Sequence, residues 1–142
     1  MLVRPPKPWF EFQLPGPAIS AQARNRVLLA AWKASVADAA KRAWPAGTPA
    51  SSHHLEVLIS EFSETPPRGD RDNIAKPVLD AMQGVVYIND LQVKKVQVEW
   101  CDIMGSYIVR YMSPVVAAAL SAGAPFLWVR VSPHAPRKDL VP

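Results

Sequence analysis

The chain has 142 residues, 49% of them apolar and 20% charged, which suits one globular domain with a real core and excludes a disordered polymer. Sixteen Lys and Arg against twelve Asp and Glu leave a net charge of +4, the sign that suits a nucleic-acid partner. The single cysteine, Cys101, excludes an intramolecular disulfide, and no run nears the ~18 apolar residues of a membrane span.

Trp9 to Leu14 alternates, with Phe10, Phe12 and Leu14 on one face, and predicts a first strand. Pro15-Gly16-Pro17 stops it. Ser20 is the expected N-cap of a long helix over 21–43, Ala-rich and free of Gly and Pro. Val27, Leu28, Ala31, Ala34 and Ala39 form its expected packing stripe, with Arg24, Arg26, Lys33, Lys41 and Arg42 on the polar side. Trp44-Pro45-Ala46-Gly47 ends it.

A second strand is expected over 54–62, with Leu55, Val57 and Ile59 as its buried face. His53 and His54 read as its start, since no third ligand stands near them for a metal. A loop stiffened by Pro66-Pro67 leads to Asp70, and a helix is expected over 73–82. Pro77 argues that this helix begins late, because only a first turn can spare the missing N–H. Val93 to Trp100 predicts a third strand, with Val96, Val98 and Trp100 on one face. Tyr107 to Tyr111 predicts a weak strand, Pro114 to Ala122 a short helix stopped by Gly123, and Phe126 to Val131 a last strand. Residues 1–132 form the expected domain and 133–142 a flexible tail. Connections of antiparallel length between intermingled strands and helices predict an α+β two-layer sandwich, a mixed β-sheet with two main helices. Residues 1–8 have no apolar segment of the secretory kind, so a cytoplasmic protein is expected.

The most informative stretch runs Gly69-Asp70-Arg71-Asp72-Asn73-Ile74-Ala75-Lys76-Pro77-Val78-Leu79-Asp80, followed by Tyr87-Ile88-Asn89-Asp90. Asp70 and Asp72 can aim their oxygens at one point, and Asp90 can return to it after a helix and a turn. Three hard oxygen donors without Cys or paired His form the set that Mg²⁺ or Mn²⁺ prefers. Arg68, Arg71, Lys76, Lys94 and Lys95 surround them, and a basic rim around an acidic cup suits a phosphodiester. Asp72, Lys76 and Asp80 follow at i, i+4, i+8, while Ile74, Val78 and Met82 take the opposing stripe. Taken singly, Asp70, Asp72 and Asn73 are ordinary turn and cap residues, and Asp80 could simply pair with Lys76. Ile74 and Ala75 exclude an EF-hand loop.

Asp70-x-Asp72-Asn73-x-x-Lys76-x-x-x-Asp80-Ala81, then Asp90-x-Gln92-Val93, resembles the RusA-type Holliday junction resolvases, small dimeric, metal-dependent endonucleases. The resemblance covers residues 68 to 95. It implies Asp70, Asp72 and Asp90 as catalytic metal ligands for Mg²⁺ or Mn²⁺, and Lys76 as the basic residue at the scissile phosphate. Asn73, Asp80 and Asn89 would support them. Arg68, Arg71, Arg24, Arg26, Lys94 and Lys95 would meet DNA, although a solvated helix face explains Arg24 and Arg26 equally well. The implied activity is paired phosphodiester hydrolysis at four-way DNA junctions, in recombination and repair, by a homodimer away from membranes. Asn89 stands where the best-known members carry a second acid, and Gly69 where they often carry Arg. Asn89 therefore motivates an alternative, a DNA-binding protein that keeps the fold without cutting; a third reading is a structural subunit of a phage recombination complex.

Overall fold

The computed structural model describes residues 10–66, 71–106, 111–137 and 139. Its elements in chain order are β1 (Phe10–Pro15), α1 (Arg26–Ala43), β2 (Leu55–Ser63), α2 (Arg71–Met82), a 3₁₀ turn (Asp90–Gln92), β3 (Val93–Asp102), α3 (Pro114–Ala122) and β4 (Phe126–Pro133). The four strands form one mixed sheet in the order β1-β4-β2-β3. β4 pairs antiparallel with both β1 and β2, whereas β2 and β3 run parallel. The parallel pair departs from the antiparallel-length reading, and its cause is α2, a crossover that returns the chain to the same end of the sheet.

The core lies between one sheet face and α1 with α2. Phe10, Phe12, Leu14, Leu55, Val57, Ile59, Leu127, Val129 and Val131 meet Trp32, Val36, Ala40, Val78 and Met82 there. Alternation places Phe62, Phe126 and Trp128 on the other face, where Val116 and Ala119 of α3 pack. The architecture is the expected α+β sandwich, with α3 adding a partial layer on the far side.

Three local expectations are corrected. α1 starts at Arg26, capped by the Asn25 side chain accepting from Leu28 N–H at 3.1 Å. Ser20 instead accepts from Gln22 N–H within a turn five residues earlier. The stripe of α1 is rotated as well: Trp32, Val36 and Ala40 are buried, while Val27 is 78% and Leu28 54% exposed. Trp32 offers the largest area to bury, so it turns the helix. Finally, α2 starts at Arg71, which puts Pro77 well inside it, fully buried. The segment 107–110, most of the expected weak strand, lies outside the described residues. The expected tail starts under restraint, since His134 N–H donates to His54 O at 2.9 Å and Ala135 N–H to Glu56 Oε1 at 2.9 Å.

Candidate active site

α2 is amphipathic at helical spacing. Ile74, Val78 and Met82 are buried against the core, and Asp72, Lys76 and Asp80 take the opposing side. Pro77 has no N–H for the carbonyl of Asn73, one turn earlier. That carbonyl accepts instead from Ala21 N–H at 2.7 Å, supplied by the segment between β1 and α1. At the C-terminal end, the buried Tyr87 hydroxyl donates to the Leu79 carbonyl. Tertiary partners thus close both backbone defects of α2.

The return to the groove is a tight turn at Gly84 (φ 85°), where Gly84 N–H donates to Tyr87 O at 2.7 Å. Asn89 caps the 3₁₀ turn: its Oδ1 accepts from Leu91 N–H at 2.8 Å, while Gln92 Oε1 accepts from Asn89 N–H at 2.9 Å. Gln92 Nε2 donates to the carbonyls of Ser51 at 2.7 Å and His53 at 3.0 Å, tying the turn to the segment that leads into β2. Asp90 is the first residue of this turn, and its N–H donates to Gln83 Oε1 at 3.3 Å.

Asp72, Lys76 and Asp80 from α2, Asp90 from the turn, and Ala75, Leu79, Val96 and Val98 line one groove of about 440 Å³. Asp80 Oδ2 lies 3.9 Å from Lys76 Nζ and 3.5 Å from Lys33 Nζ of α1. Among the described residues neither Asp72 nor Asp90 has an ion-pair partner. The negative field is felt at Tyr87: burial first, then the charges of Asp90 and Asp80, push its phenol well above the ordinary tyrosine range. Among the described residues no three His, Cys, Asp or Glu side chains are grouped to hold a metal ion. Asp70, the third predicted ligand, lies outside them. The two described members are carboxylates whose oxygens pair with no cation among the described residues, which is the chemistry a hard divalent cation takes up.

The model of the endodeoxyribonuclease RusA family matches residues 22–110, from before α1 through β3. The chain belongs to the RusA family. Membership makes it an endodeoxyribonuclease of the Holliday junction type. None of the curated proteins matches it.

Within this RusA chain the predicted DNA-contacting residues are distributed unevenly. Arg26 Nη1 donates to Ala21 O at 3.1 Å, so it braces the same segment that satisfies Asn73. Arg24 is exposed beside it. Lys95 is in register with Glu56 of β2 and has the opposite parity to the groove-lining Val96, whereas Lys94 falls at the register irregularity between the Leu55–Val93 and Glu56–Lys95 pairs. Arg68 and the Arg71 side chain lie outside the described residues. Asn73 acts through its carbonyl and Asn89 through its cap, and neither lines the groove.

Sequence reasoning gave no site role to Lys33, Gln92, Tyr87 or Glu61. Asn89-x-x-Gln92 is a capping-box spacing and could have revealed Gln92. Glu61 is buried on the core-facing side of β2, and burial raises its carboxyl above the ordinary range, an effect that the backbone N–H of Ala18 opposes. No local signal marks Lys33, because its partner sits on another helix.

Among the described residues no helix is long and apolar enough to cross a membrane.

Proposed function

We propose that this RusA-family chain is a metal-dependent Holliday junction resolvase serving DNA recombination and repair, acting as a homodimer with one groove per protomer. The observation that supports it most is the convergence of Asp72, Asp90, Asp80 and Lys76 on one groove. Asp70, Asp72 and Asp90 would hold Mg²⁺ or Mn²⁺, which when bound supplies Lewis-acid polarisation of the phosphodiester and activation of water. Lys76, 72% exposed at the side chain, lines the groove, where it would meet a phosphate. Its charge, with that of Arg68 or Arg71, offsets the charge growing on the phosphate oxygens in the transition state. The position of Asp72 in the first turn of α2 adds the helix N-terminus to the same corner, where backbone N–H groups favour an anion. Two symmetric nicks across a junction call for two sites related by a two-fold axis, hence the dimer.

The test incubates the pure protein with a labelled four-way junction and with linear duplex, with and without Mg²⁺ or Mn²⁺. Paired nicks in the junction alone, only with metal, are expected. Binding should weaken as salt rises, because Lys and Arg displace counterions from phosphates. A protein that binds junctions but never cuts with either metal would refute the nuclease reading and favour the non-cleaving one.

A further inference from the structure

Asp80 Oδ2 faces two ammonium groups at once. Lys33 approaches from α1 at 3.5 Å, and Lys76 from one turn earlier on α2 at 3.9 Å. On an isolated helix a Lys and an Asp at i, i+4 pair weakly, more weakly in this order than in the reverse. Weak or not, that pairing would draw Lys76 towards the C-terminal end of α2 and away from Asp72, which stands one turn before it. Lys33 sits closer, is the less exposed of the two cations, 41% against 72%, and repels Lys76 from the shared oxygen. We infer that Lys33 is a positioning residue: by occupying Asp80 it keeps the Lys76 ammonium available to the scissile phosphate. The inference rests on the proposed role of Lys76 and adds a second helix to the site.

The consequence is a specific pattern of suppression. Lys33→Met keeps the aliphatic stem and helix propensity but removes the competing charge, so Asp80 takes Lys76. Junction cleavage is expected to slow about five-fold, an amount set by a surface ion pair, with junction affinity little changed. Lys33→Arg should restore the rate, since a guanidinium can also occupy Asp80. Adding Asp80→Asn to Lys33→Met should make cleavage faster than in Lys33→Met alone, because nothing then retains Lys76. If Lys33 mattered only for packing α1 on α2, the double variant would be no faster than Lys33→Met, and that result would overturn the inference. A readout independent of activity is the NMR signal of the Lys76 ammonium in the free protein. It should shift in Lys33→Met and return in the double variant; an unmoved signal overturns the inference whether or not the protein cuts. A wild type that never cuts, with a Lys76 signal that does respond, would sink the nuclease reading and leave the tether standing.

Discussion

α2 and α3 are both short helices, yet they are closed by opposite means. α3 is complete within its own sequence. Ser113 Oγ accepts from Val116 N–H at 3.2 Å, Pro114 takes the first turn, and Gly123 ends the helix at φ 72°. α2 carries a proline in its interior and leans on Ala21 and Tyr87 for the backbone partners its own residues lack. α3 covers apolar surface, while α2 carries Asp72, Lys76 and Asp80 along a groove. A helix that only packs can be specified locally. A helix that presents charge on one side and a buried proline on the other needs the rest of the fold to hold it.

Five substitutions probe that contrast. The largest effect belongs to the groove: Asp72→Asn or Asp90→Asn should lower junction nicking about 100-fold or more with junction binding retained, as expected when a ligand of a hard cation is lost. Full nicking in both, followed on labelled junctions, would remove these acids from the chemistry. Tyr87→Phe keeps the buried ring but strips the donor from the Leu79 carbonyl, and should cost about 1–2 kcal/mol in urea unfolding. Ser113→Ala removes the local cap of α3 and should cost about 1 kcal/mol while nicking stays at the wild-type rate, since α3 lies away from the groove. Pro77→Ala sharpens the comparison most. Relieving a helix-interior proline is ordinarily worth about 3 kcal/mol. Here the orphaned Asn73 carbonyl already has a donor and the buried ring would leave a void, so unfolding should place the variant within about 1 kcal/mol of wild type.

The smallest effect concerns the segment that serves α2. Glu61 senses that segment through the backbone N–H of Ala18, and its carboxyl is raised by burial from an unfolded value near 4.5. A raised acid binds its proton more tightly in the folded state, so the folded state is favoured at pH below 4.5 and loses that contribution as pH rises through the folded value. Glu61→Gln, which mimics the protonated acid, should therefore gain stability over wild type as pH rises above about 4.5. Equal stability differences at pH 4 and pH 8 would show that Glu61 titrates alike in both states.

Much of this molecule was legible without coordinates. The period-2 patterns of Phe10 to Leu14 and Leu55 to Ile59 marked buried strand faces, because a half-buried strand exposes alternate residues. Ser113, Pro114 and Gly123 announced α3, since caps act within a few residues. The spacing of Asp72, Lys76 and Asp80 placed them on one side of a helix for the same reason. What only the tertiary structure decided involves partners distant in the chain. The parallel pairing of β2 with β3, the rotation of α1 onto Trp32, and the start of α2 ahead of Pro77 each depend on a surface supplied from elsewhere. Pro77 sits in a helix because Ala21, 56 positions earlier, provides the hydrogen bond that a local rule counts as lost. Lys33 reaches Asp80 only because α1 and α2 pack side by side. Local patterns set which residues could share a face; the packing of two helices on one sheet decided which charges meet.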